Sequence, residues 1–189
     1  AEGLYLLLEG VSWEEAVYLP LDISAEVGSR SCASPSLTFQ READFVLCLD
    51  GTANSRLLVQ DHWDSARERF LYETEGDDPF LDIPERDSAS FVPVGMAVQN
   101  PLLVDTLTPE TRALQRLGVW ETGKLVHGNG DSRSPNYNSL ADFCFGDGCV
   151  EIRLPWLLLN VGAPASMLVH RDYYRHYGVE FKQIRELWI

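Results

Sequence analysis

The chain has 189 residues, the size of one all-β domain, with 45% hydrophobic and 23% charged residues, an ordinary globular balance. A core of this size forms without help from disulfides or a metal. Fifteen basic against twenty-nine acidic residues leave a net charge of −14. That charge repels phosphate backbones and anionic lipids at long range, so nucleic acid is a poor ligand, while a neutral ligand, a cation or a basic partner stays open. The bland reading is that the excess acid only keeps the protein soluble. No apolar run reaches the ~20 residues that span a bilayer, so direct membrane insertion is not expected.

In chain order, Leu4 to Leu8 is an apolar strand candidate that starts almost at once, and the last residues, Glu186-Leu187-Trp188-Ile189, are also strand-like. No basic segment followed by an apolar stretch precedes them. Such tight ends lead to the expectation of a domain taken from a longer protein. Over 16–23, Val17, Leu19, Leu21 and Ile23 share one face, opposite Tyr18, Pro20 and Asp22. Over 43–50, Phe45, Leu47 and Leu49 alternate with Asp44, Val46 and Cys48. A period of two turns one face to a core and the other to a second layer or water. Turn residues Gly51-Thr52-Ala53-Asn54 and the apolar run 56–60 complete a predicted hairpin over 43–61.

Further strands are predicted over 67–72, 91–98, 119–127, 139–145, 149–154 and 179–188. Helix signals are few. Thr108 as cap, Pro109 at the first position and Gly118 at the exit predict a helix over 108–118, with Leu114 and Leu117 buried. A second short helix is expected over 165–177. Many short strands with rare helical insertions predict an all-β fold: a two-sheet antiparallel β-sandwich, jelly-roll-like, with one or two short helical insertions and a single domain over 1–189.

Of the four cysteines, Cys32, Cys48, Cys144 and Cys149, no two have zinc-ribbon or redox-motif spacing. Cys144 and Cys149 flank the turn-like 145–148 segment, which leaves two readings: a bridge across a hairpin, or two buried free thiols. The even count leans only weakly towards an oxidising compartment.

Residues 149–160 read Cys-Val-Glu-Ile-Arg-Leu-Pro-Trp-Leu-Leu-Leu-Asn. Val150, Ile152 and Leu154 face inward; Pro155 cannot donate to a ladder and instead opens a helical turn that folds Trp156 and Leu159 back onto the sheet. This E-I-R-L-P-W-x-x-L block resembles the late strand of family 9 carbohydrate-binding modules and the related DOMON-like sandwiches. The opening pair of strands, the acid-led 43–50 strand and the segment from Gly178 fit the same layout. The stretches 123–128 and 137–143 also look like uncharacterised bacterial C-terminal domains of larger surface proteins. The resemblance implies a non-catalytic module, extracellular or at the cell surface, that attaches its parent to a carbohydrate or cell-envelope polymer and touches other domains of that parent. No tryptophan here matches the loop positions at which family 9 modules stack a saccharide, so sugar binding is implied by kinship alone.

Sugar recognition needs flat aromatic surface and planar polar groups. Trp63 with His62, Trp120, and Tyr137 with Asn136 are therefore the candidate ligand-binding residues, the alternative for each being an ordinary core or rim side chain. Trp156 and Trp188 are assigned to the core and Trp13 to a turn. The spacing of Tyr173, Tyr174 and Tyr177 suits a helix packing face. Asp77, Asp78 and Asp82, or Asp22 with Asp50, offer oxygens to a structural calcium, against the reading of a solvated acidic loop. His62, His127, His170 and His176 lack metal-ligand spacing, and Met96 and Met167 make no case for a haem ligand. Nucleophile-elbow, phosphate-loop and dinucleotide motifs are missing, so no catalytic residues are expected. Two other classes remain as alternatives: a structural or protein-interaction scaffold, and a glycoside hydrolase built on two of the acids, whose separation a sequence does not give.

Overall fold

A computed structural model describes residues 2–66, 83–98, 118–176 and 180–189. The fold is all-β, with antiparallel sheets packed in layers, and among the described residues the helical segments are single short turns. One layer is a three-stranded sheet. Its middle strand, β11 (Cys149–Pro155), lies between β1 (Gly3–Glu9) and β10 (Phe143–Gly146). The other layer has four strands in the order β2 (Val17–Leu21), β5 (Phe45–Leu49), β6 (Arg56–Gln60) and β7 (Phe91–Pro93).

The period-two pattern makes these layers. Leu4, Leu6 and Leu8 stand beside Leu154, Ile152 and Val150 on one inner face. Leu21, Phe45, Leu47, Leu57 and Val59 form the other, and all of these residues join one core cluster. Every residue of β5 is buried, because its second face is covered too. There Val46, Cys48 and Leu58 meet Leu37, Phe39 and Phe91. Leu37 and Phe39 come from β4 (Leu37–Ala43), which pairs with β3 (Ser29–Cys32) as a separate hairpin. Burying such side chains contributes roughly 1.5–3 kcal/mol each, and it sets the register, since a one-residue slip would exchange the two faces.

Two smaller sheets complete the described strands. One is the ribbon of β8 (Gly95–Val98) and β9 (Gly118–Glu121); the other has β13 (Leu168–His170) between β12 (Val161–Ala163) and β14 (Phe181–Gln183). The proline–tryptophan corner forms as the sequence predicts: β11 ends at Pro155, Trp156–Leu159 makes a 3₁₀ turn, and Leu159 is buried with Trp156 packed beside it. The turn at 51–54 is one helical turn, α1 (Gly51–Asn54).

Several expectations are corrected. The helix expected over 165–177 is a 3₁₀ turn at Pro164–Ser166, then β13, then the short helix α2 (Tyr173–His176). Val169 of β13 is fully buried as part of a central strand, so burial beside two partners overrides the helical reading. The run 91–98 breaks at Val94, whose N–H donates to the Leu57 carbonyl. The 119–127 strand shortens to β9, and the 179–188 strand to β14. Gly118 opens β9; the predicted helix before it, and the 67–72 strand, lie outside the described residues. Cys144 stands opposite Glu151, and Cys149 opposite Gly146. The two cysteines are therefore diagonal rather than facing, and all four cysteines are free thiols. Among the described residues no helix is long and apolar enough to cross a membrane.

Candidate functional site

The predicted aromatic platform does not assemble. Trp63 follows β6 in a 3₁₀ turn (Asp61–Trp63) that drives its ring into the core against Phe45, with centroids 5.6 Å apart. It is fully buried, and its indole N–H donates to the Arg171 carbonyl at 3.2 Å. His62 is buried beside it, with Nδ1 2.7 Å from the Pro84 carbonyl oxygen and Nε2 3.2 Å from Asp172 Oδ1. Burial works against the Asp172 charge. His62 and the amides of Arg175 and Tyr174 outweigh it and hold the carboxyl below its ordinary range. These groups knit α2 to the 60–64 turn and leave no surface for a ligand.

Trp120 and Tyr137 are exposed, at 69% and 49%, but on separate elements. Trp120 stands opposite exposed Met96 on the β8–β9 ribbon. Tyr137 and exposed Asn136 belong to the 128–138 loop, closed by a bridge between Asn129 and Tyr137. Asp77, Asp78 and Asp82 lie outside the described residues. Among the described residues, no group of three or more His, Cys, Asp or Glu is placed to hold a metal. Asp22 is engaged by Arg41 instead.

The groove that the structure does build lies on the outer face of the four-stranded sheet, between edge strand β2 and the overlying β4. Tyr18 and Pro20 point outward because their neighbours Leu19 and Leu21 point into the core. Ser31 pairs with Thr38 and Ser29 with Ala43, so residues 39–42 of β4 face the single residue Arg30. Such a bulge bends a strand and re-aims its side chains, here bringing Phe39 and Arg41 over the groove. Trp188 closes the end. Its backbone exchanges two hydrogen bonds with Asp22, of 3.0 and 2.9 Å, while Leu187 packs on the core. Trp188, which the sequence assigns to the core, is 44% exposed, and Tyr18 is 36% exposed.

The polar groups of the groove are held in place. The Arg41 guanidinium lies 4.3 Å from the Trp188 ring centroid, and its Nε donates to Asp22 Oδ2 at 3.0 Å. The turn carrying Asp22 is fixed from below. Asp44 is fully buried, and its Oδ2 accepts from the amides of Ile23 and Ser24, both at 2.6 Å. Burial, opposed by those two amides, pushes the Asp44 carboxyl well above its ordinary range. The groove encloses about 470 Å³, within the ~300–1,000 Å³ of small-ligand sites.

In comparisons with known proteins, no family model, no curated protein and no solved structure matches this chain. The chemistry of the groove therefore stands on its own. It offers flat aromatic surface, a positioned guanidinium and two carboxylates, Asp22 and Glu42.

Proposed function

We propose that this chain is a non-catalytic binding module that holds a carbohydrate or cell-envelope polymer in the groove between β2 and β4. The observation that carries the reading is the half-exposed Trp188 ring, locked by backbone pairing to Asp22 and flanked by Tyr18 and Arg41. Aromatic rings supply rigid apolar area for a sugar face at low entropic cost, and hydrogen-bonding groups at the same rim select hydroxyls. The resemblance of the 149–159 block to carbohydrate-binding sandwiches agrees with this role, which would place the module at a cell surface within a larger exported protein.

Affinity electrophoresis against a panel of polysaccharides tests it. The chain is retarded by at least one polymer, and Trp188→Ala or Tyr18→Ala abolishes the retardation while leaving the far-ultraviolet circular dichroism intact. Retention of no glycan by the folded protein overturns the reading. A scaffold role is the second reading, favoured by the paired exposure of Trp120 and Met96 on one ribbon. It predicts that Trp120→Ser, not Trp188→Ala, weakens association with another domain of the parent chain.

A further inference from the structure

The groove does not end at Trp188. A second depression of about 490 Å³ continues from it, sharing Asp22, Arg41, Glu42 and Trp188. Its walls carry Arg30, Arg41, Lys182 and Arg185, against the acids Asp22, Glu42 and Glu186. Four of the fifteen basic residues of the chain thus gather beside three of its twenty-nine acids. At physiological ionic strength charges are screened over ~8 Å, so a ligand lying here meets this local set rather than the net −14.

Two of these cations have free donors. Arg41 uses its Nε for Asp22 and one ring face for Trp188, and among the described residues no oxygen accepts from its Nη1 or Nη2. That leaves a pre-aimed, planar edge of the kind that grips a carboxylate with two parallel hydrogen bonds. Arg185 makes no ion pair among the described residues and is exposed. Arg30 and Lys182 are only loosely engaged, 3.9 Å from Glu42 and 3.4 Å from Glu26.

We infer that the ligand is an acidic polysaccharide, one whose sugar rings carry carboxylates. This rests on the carbohydrate reading of the groove and narrows it. A ring lies on the open surface of Trp188 and Tyr18, and a carboxylate of the same or the next residue meets the Arg41 Nη edge and Arg185.

The test uses the full chain with three polymers: polygalacturonate, the same polymer fully methyl-esterified, and polyglutamate. Isothermal titration is expected to show polygalacturonate binding about tenfold tighter than its ester, an advantage that shrinks as salt is raised from 20 to 300 mM, because salt screens exposed ion pairs. Arg185→Gln is expected to cut the acidic polymer's affinity about fivefold, the loss of one such pair. Equal affinity for polymer and ester overturns the acidic assignment and leaves the carbohydrate reading standing. Polyglutamate binding as tightly as polygalacturonate overturns it in favour of an acidic peptide. Binding of neither sugar polymer by the wild type overturns it as well; if the wider polysaccharide panel also fails, the carbohydrate reading itself falls.

Discussion

Removing the Asp44 side chain is expected to be among the most damaging single changes outside the apolar core. Asp44 Oδ2 is the acceptor for the amides of Ile23 and Ser24, both in buried residues. Asp44→Ala strands both donors, and each unsatisfied buried amide costs about 1–3 kcal/mol. The sum, about 2–6 kcal/mol, is a large share of the ~5–15 kcal/mol that holds a typical domain. Removing a buried carboxylate offsets part of it, by an amount that depends on pH. The folded-state carboxyl sits well above its ordinary range, so its contribution is complete below the unfolded value of about 3.9 and is lost as pH rises through the folded value. Urea unfolding of wild type and Asp44→Ala from pH 4 to 8 measures both effects. The wild type should be more stable throughout, with a margin that narrows as pH rises. A margin below about 0.5 kcal/mol at pH 4, or one that widens with pH, would refute the reasoning. Asp44→Asn keeps one acceptor oxygen and cannot ionise, so its stability should lie between the other two at pH 4 and approach or pass the wild type at pH 8.

Glu26 behaves in the opposite sense. The Arg171 side chain hydrogen-bonded to it outweighs burial and, with the Asp172 amide and the Lys182 and Arg171 charges, lowers its carboxyl from 4.5 to about 2. Its contribution is present above 4.5 and is lost as pH falls towards 2. Solvent screening leaves about 1 kcal/mol of it, so Glu26→Gln should unfold at lower urea at pH 7 and match the wild type near pH 2. Maleimide labelling of the native protein, read by peptide mass spectrometry, should modify partly exposed Cys144 and Cys149 and spare Cys32 and Cys48. Burial raises both of the latter thiols, Cys48 to about 12. After denaturation all four should react without prior reduction; a bridge would leave two unlabelled.

The layers were legible because alternation is a local signal. Phe45, Leu47 and Leu49, and Val150, Ile152 and Leu154, turn inward as their spacing predicts, and Pro155 ends its strand where the missing amide proton requires. The sequence does not announce the β3–β4 hairpin, although Leu37 and Phe39 alternate with Thr38 and Gln40. The clue is weak because the partner strand, Ser29-Arg30-Ser31-Cys32, has no apolar run. For Trp63 the polar neighbours Asp61, His62 and Asp64 leave a platform and a core position both open, and one 3₁₀ turn decides it by sending the indole inward and burying the histidine against Asp172. Trp188 failed in the other direction. Its apolar neighbours suggest a core, but pairing with Asp22, 166 residues away, sends Leu187 in and Trp188 out. No local pattern encodes that contact, and the groove depends on it.

Fluorescence titration with fragments of a retained polysaccharide tests the groove most directly, comparing the wild type with Trp188→Phe. Of the five tryptophans only Trp188 lines the groove, with Trp13, Trp63, Trp120 and Trp156 absent from its walls, so the ligand-induced change in emission should come from Trp188 and vanish in the variant. A change of equal size in Trp188→Phe would place the ligand elsewhere and contradict the assignment of this groove.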